Sequence, residues 1–170
     1  GATVTGPAAI AATYNGTTGA EKITGGSGVD TITGGTGADT MNGGAGNDSF
    51  LQTGATDTGF VAAAASISTA TLDKITANTG DTITLFLQTA VNYDVLGTLA
   101  TATSITNTTT TTAIARSQGV FDATAQTFTI GATGANAVLI SYSTTNAGTT
   151  ADQQIVITGV TNVTSILDGV

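Results

Sequence analysis

Residues 25–51 read GGSGVDTIT, GGTGADTMN and GGAGNDSFL, three consecutive copies of the nine-residue unit Gly-Gly-x-Gly-x-Asp-x-apolar-x. A fourth copy, GTTGAEKIT at residues 16–24, precedes them with Thr17 in the second slot and Glu21 in the sixth. So short a period constrains a fold more than composition does, because every unit must pack on copies of itself. Glycines in slots one, two and four permit a tight turn and let backbone carbonyls approach a ligand. The slot-six carboxylates Glu21, Asp30, Asp39 and Asp48 add charged oxygen to those carbonyls. Oxygen-only donors suit a hard cation of flexible coordination, calcium rather than magnesium or zinc. Slot eight (Ile23, Ile32, Met41, Phe50) is apolar in every copy, and side-chain alternation along a very short strand can turn it inward. A glycine-rich flexible linker is the plain alternative, but a linker has no reason to keep a carboxylate and an apolar residue in phase.

These residues resemble the RTX calcium-binding repeats of bacterial proteins exported by type I secretion. The resemblance implies a short parallel β-roll in which each unit is a calcium turn plus a short strand, and a pair of units completes one coil. On that geometry the first unit lies beneath the third and the second beneath the fourth. Glu21 then faces Asp39 on one edge, and Asp30 faces Asp48 on the other. The metal-binding residues expected are Thr18, Ala20 and Glu21 in the first turn, and Gly25, Gly26, Ser27, Gly28 and Asp30 in the second. Gly34, Gly35, Thr36, Gly37 and Asp39 follow in the third, and Gly43, Gly44, Ala45, Gly46 and Asp48 in the fourth. The Asp30–Asp48 site should be the better one, because Glu is longer than Asp and Thr17 replaces a turn glycine. Asp57 is the nearest candidate for a further site with Asp48, and Asp73 with Asp81 forms a candidate extra pair beside a glycine turn.

Composition narrows the chemistry. In 170 residues there are eleven acidic side chains against three basic ones, Lys22, Lys74 and Arg116, for a net charge of −8. That balance speaks against nucleic acid and anionic membrane surfaces as partners. The chain has no Cys and no His, which removes disulfides, thiolate nucleophiles, His-ligated zinc and Ser–His triads. Two carboxylates would suffice for a glycosidase, yet Asp73, Asp81, Asp94, Asp122 and Asp152 sit in contexts where Asp ordinarily stabilises turns. No constellation of catalytic roles can be assembled from them, so the chain reads as a non-enzyme. No apolar run is long enough to span a membrane. A chain that starts at Gly1 is expected to be a fragment of something longer. Thr favours strands through its β-branch, and 40% hydrophobic content argues against disorder.

The expected class is therefore all-β: an entry segment or linker over residues 1–15, the roll over 16–51, and a β-rich capping and secretion-signal region over 52–170. The entry segment holds Pro7, the only proline, and can cover the open end of the stack, which needs a cap. Residues 60–65 suit a short helix on alanine propensity, or a strand edge and loop. Residues 72–87, LDKITANTGDTITLFL, give a strand–turn–strand signal and are similar to the segment that follows RTX repeats in serralysin-like secreted proteins, without its usual aromatic. The Thr run at 108–112 reads as an exposed loop. Strand patterning returns at 127–130, 137–142 and 154–158, with a polar turn at 144–150 consistent with a hairpin. Tyr14, Tyr93 and Tyr142 read as packing residues.

Residues 119–170 resemble the C-terminal part of type I secreted RTX and surface-layer-like proteins. What this implies is a Ca²⁺-binding domain that folds outside the cell and carries a type I secretion signal. The parent would be a surface-layer or adhesin-type structural protein. Its partners would be the type I secretion machinery, through the C-terminal region, and other copies in a surface layer, with no nucleic acid and no membrane insertion. The alternatives are the C-terminal appendage of a secreted protease or lipase and a self-contained binding module.

Overall fold

The structure, a computed structural model, describes residues 1–54, 57–59, 66–78, 80–85, 114–142, 153–159 and 166–168. It begins with short rungs: β1 (Thr3–Thr5), β2 (Thr13–Asn15), β3 (Lys22–Thr24), β4 (Thr31–Thr33), β5 (Thr40–Asn42) and β6 (Ser49–Leu51). Successive rungs do not pair with each other. β1, β3 and β5 stack in parallel on one side, and β2, β4 and β6 on the other. Each rung thus lies on the one two units earlier, and the chain winds as a roll between two parallel sheets. The expected pairing of units holds, as Ile23 lies opposite Met41 and Ile32 opposite Phe50.

One residue per rung builds the interior. The middle residue of β3, β4, β5 and β6 is buried while its neighbours are not, because adjacent strand residues point to opposite faces. Tyr14, Ile32, Phe50 and Ile83 align along one sheet, and Val4, Ile23, Met41 and Ile75 along the other. Full burial of a side chain of this kind contributes roughly 1.5–3 kcal/mol, which applies from Ile23 and Ile32 onward, since Val4 is exposed and Tyr14 only partly buried.

The ladder runs past both ends of the repeat block. Before it, β1 and β2 are rungs in their own right, so the stretch expected as an entry segment winds in the coil's register. After it, β8 (Asp73–Thr76) stacks on β5 and β9 (Thr82–Leu85) on β6. The expected strands at 72–87 are present, but each continues a different side of the roll. Between β6 and β8 the chain leaves the coil and contributes β7 (Ser66–Ser68) elsewhere.

The sheet of β1, β3, β5 and β8 does not stop at the roll. β13 (Gln153–Thr158) joins β8 in parallel, then β12 (Ala137–Tyr142), β10 (Ile114–Asp122), β11 (Thr127–Ile130) and β7 follow antiparallel. β14 (Ile166–Asp168) joins β9 on the other sheet. One face of β12 and β13 (Val138, Ile140, Tyr142, Ile155, Ile157) prolongs the roll's core. Their other face packs Leu139 and Val156 with Ile67, Leu72 and Phe128. Tyr14 and Tyr142 are packing residues, as expected. The suggested helix at 60–65, the Thr run at 108–112, the turn at 144–150, Tyr93, Asp94 and Asp152 lie outside the described residues.

Candidate metal centre

The turns between rungs fall on the two edges of the roll. Turn 16–21 lies against turn 34–39 on one edge, and turn 25–30 against turn 43–48 on the other. The three slot-six aspartates are each held by one repeated bond, which the Glu21 side chain lacks. The backbone N–H of Glu21 donates to Asp39 Oδ1 at 2.8 Å and that of Asp30 to Asp48 Oδ1 at 2.8 Å. The pattern continues beyond the repeats: the Asp39 N–H donates to Asp73 Oδ1 and the Asp48 N–H to Asp81 Oδ1. Below them, the Ala12 N–H donates to Asp30 Oδ1 at 2.9 Å. The result is two carboxylate columns, Glu21–Asp39–Asp73 and Asp30–Asp48–Asp81.

This arrangement corrects two expectations. Asp48 meets Asp81, not Asp57. Asp57 instead accepts the N–H groups of Thr53 and Gly54, and its carbonyl accepts the Gly37 N–H at 3.2 Å, which places it on the Asp39 edge. Asp73 and Asp81 cannot share an ion as a pair, because consecutive turns fall on opposite edges. Asp81 is the partner that sequence reasoning missed. Its signal was the Asp-x-Ile triplet that both Asp73 and Asp81 begin, the same order as slots six to eight, hidden because it is out of phase with the repeat.

The glycines are spaced by what they face. Gly44 and Gly46 take φ of +93° and +126°, a region costly for any residue with a Cβ. A Cβ on Gly44 would fall on the Gly26 carbonyl oxygen, and one on Gly46 on that of Gly28. On the other edge Gly35 and Gly37 face the carbonyls of Thr17 and Gly19 in the same way. Thr18 and Thr36 form a parallel bridge between the two turns. The slot-one residues Gly25, Gly34 and Gly43 are buried, while Ser27, Ala45, Ala20 and Thr18 are exposed and can offer the interior only their backbone.

The second carboxylate oxygens separate the sites. Asp39 Oδ2 and Asp48 Oδ2 are buried without any hydrogen-bond partner. A buried carboxylate oxygen with no donor is costly, and a cation relieves that cost. Asp30 Oδ2 accepts the Gly26 N–H at 2.8 Å, whereas Glu21 meets Thr17 in its own turn at longer range, at 3.4 Å to its N–H and 3.3 Å to its hydroxyl. Among the described residues no three acidic side chains form a cluster fit to hold a metal ion. The donor set is therefore carboxylate plus backbone carbonyl, which suits calcium's six to eight oxygens.

Electrostatics carry the same strain. Burial pushes Asp39 up to about 6, offset by the N–H bond it accepts and reinforced by Glu21 and Asp57. Burial pushes Asp73 up to about 8, offset by the Asp39 N–H and Gln52 and reinforced by Asp39 and Asp57. Asp48 is raised too, by burial first, with Asp81 and Asp30 adding to it. The nearby cation does little to relieve this, since burial lowers the Lys74 ammonium and its Nζ donates to the Leu72 carbonyl.

Residues 15–50 match the family model described as RTX calcium-binding nonapeptide repeat (4 copies). No curated protein matches the chain. The segment is an RTX repeat block, and RTX nonapeptide repeats bind Ca²⁺ as a structural, non-catalytic element. The buried, donor-less oxygens of Asp39 and Asp48 fit that ion.

Proposed function

We propose that this chain is a calcium-triggered folding module of a protein exported by a type I secretion system, working outside the cell in a surface-layer or adhesin-type structural role. The observation that carries the reading is the pair of buried carboxylate columns at the roll's edges. Stacked, buried negative charge of this kind is costly until a cation or protonation neutralises it, and near neutral pH a cation does so without protonating the carboxylates. Bound Ca²⁺ would supply positive charge between the stacked turns of each edge. The chain's own residues do the rest: Asp30 with Asp48, and Glu21 with Asp39, present carboxylates across each edge, and the carbonyls of turns 16–21, 25–30, 34–39 and 43–48 complete the oxygen set.

Binding free energy at a site absent from the unfolded chain is folding free energy. At the affinity of extracellular modules, roughly 10⁻⁴–10⁻³ M, the roll stays unfolded at cytosolic calcium and folds in the medium. That behaviour suits a chain that must pass an exporter unfolded. The export signal is assigned to residues 119–170, and the partner there is the secretion machinery. Self-association in a surface layer follows from the structural role, and no catalytic role is assigned. A passenger fused ahead of this chain should reach the medium when the cognate exporter is present, and deletion from residue 119 onward should abolish export. Unchanged export of the truncated fusion would refute the signal's location.

A further inference from the structure

The two edges of the roll end differently where they meet the rest of the chain. On the Asp48 edge, Asn78 closes the stack with donors: its side-chain nitrogen bonds the Gly44 carbonyl and its N–H donates to Asp81 Oδ2 at 2.7 Å. On the Asp39 edge the chain supplies acceptors. Gln52 spends its amide nitrogen on Asp73 Oδ2 at 2.9 Å, which leaves Oε1, buried and without a partner, as the free end of the group. Asp39 Oδ2 is buried without a partner as well. Asp57, 3% exposed, uses Oδ2 for the N–H groups of Thr53 and Gly54, and its neighbourhood already holds the Asp39 and Asp73 carboxylates. Gln52, Asp39 and Asp73 are likewise almost fully buried. Asp39 and Gln52 both bond Asp73, the one through its N–H and the other through its side-chain amide, and Asp57 is near enough to act on the charge of Asp39 and Asp73; two buried donor-less oxygens on residues so linked suit a hard cation.

We propose that this junction binds a further calcium ion through Asp39 Oδ2, Gln52 Oε1 and the Asp57 carboxylate, with Asp73 orienting Gln52, and that the ion locks the roll to the C-terminal sheet. The proposal rests on the calcium-roll reading above. Asp57 and Asp73 come from outside the repeats, so the site belongs to this chain's exit from the coil. The locking follows from the residue after Asp57. The Thr58 N–H donates to Gln153 Oε1 at 3.1 Å, its hydroxyl donates to the Gln154 carbonyl at 2.6 Å, and that hydroxyl accepts the Asp73 N–H at 2.8 Å. The Gln154 N–H in turn donates to the Gly59 carbonyl at 2.8 Å. Fixing Asp57 therefore fixes Thr58 and Gly59, which hold the start of β13 beside β8.

Native mass spectrometry of the whole chain in calcium counts the ions, and hydrogen exchange reads β13. Asp57→Asn and Gln52→Leu should each remove one ion and raise the calcium concentration at which 153–158 become protected, leaving β4 and β6 protected as before. Asp30→Asn should remove a different ion, from the opposite edge. If Asp30→Asn loses an ion while Asp57→Asn and Gln52→Leu bind as many as the unmodified chain, the junction site is wrong and the roll reading stands. If the unmodified chain binds no calcium, both fall. Gln52→Leu leaves every carboxylate in place, so it decides the matter even where Asp57→Asn fails to fold.

Discussion

The roll and the antiparallel strands share one continuous sheet but are held together by different means. A roll rung is three residues long and buries one apolar side chain. β12 and β13 are six residues each, and nearly every residue is buried because both of their faces are covered. The roll hides Glu21, Asp30, Asp39, Asp48 and Asp73, whereas the buried polar residues described on β10–β13 are the neutral Ser117, Gln153 and Gln154. Apolar area suffices for the second region. The first buries one apolar side chain per rung beside stacked carboxylates, and on the proposed function an ion offsets their charge.

The largest test of that contrast is removal of calcium. With chelator, hydrogen-exchange protection of β3–β6 should vanish, with loss of the corresponding circular dichroism, while β10–β12 remain protected. Millimolar calcium should restore the roll. Protection of residues 22–51 that persists in chelator would end the comparison.

Next come two core truncations of matching chemistry. Phe50 and Phe128 are both fully buried, one in the roll and the other in the cluster across β12. Each Phe→Ala change should cost roughly 3–5 kcal/mol in calcium-loaded protein. In chelator the two should part: Phe128→Ala still lowers the remaining urea transition, and Phe50→Ala leaves it unmoved. Equal effects of Phe50→Ala with and without calcium would show that the roll does not need the ion.

Acidity should act with opposite signs in the two states. Asp39 and Asp73 have folded-state values raised to about 6 and about 8 from an ordinary 3.8, so the metal-free fold prefers them protonated. Their contribution is fully present below about pH 3.8 and is lost as pH rises through about 6 and then about 8. The metal-free roll should therefore regain order on acidification. In calcium the slope reverses, because the ion binds ionised carboxylates. Circular dichroism against pH in chelator and in calcium checks this, and parallel curves would count against carboxylate burial as the cause.

How much of this was legible depends on whether the signal was periodic. Slots six and eight repeat in phase, so the repeat and its core residues could be read from residues 16–51, and the resemblance to RTX repeats implied the coil and its pairing. The rungs at Thr3–Thr5 and Thr13–Asn15 are joined by a turn with no carboxylate and a single glycine, Gly6; Ala12 stands where Asp30 stands one coil later, so only the backbone ladder reveals them. The rungs carrying Asp73 and Asp81 keep the Asp-x-Ile order, but an excursion through β7 breaks the count. Joining β13 to β8 in parallel is a long-range event that no local pattern encodes. The strand at Gln153–Thr158 was readable, and its neighbour was not.

The smallest expected effect concerns the first turn of the roll. Glu21 and Thr17 depart from the unit, and their mutual contacts of 3.3 and 3.4 Å are long beside the 2.8 Å bond from the Gly26 N–H to Asp30. Glu is one methylene longer than Asp, so its carboxylate overshoots the position that a slot-six Asp takes over its own turn. The Thr17→Gly and Glu21→Asp double substitution should let the carboxylate fold back onto the slot-two N–H. A well-formed bond to a charged acceptor in place of a long one is worth about 1 kcal/mol, roughly fivefold in calcium affinity at the Glu21–Asp39 edge. Titration calorimetry should show the weaker class of sites moving toward the Asp30–Asp48 class, with the number of ions unchanged. Glu21→Asp alone should achieve less, because Thr17 still carries a side chain where the other turns have none. An affinity that falls in the double variant would mean that the Glu21–Thr17 contact is itself the better turn.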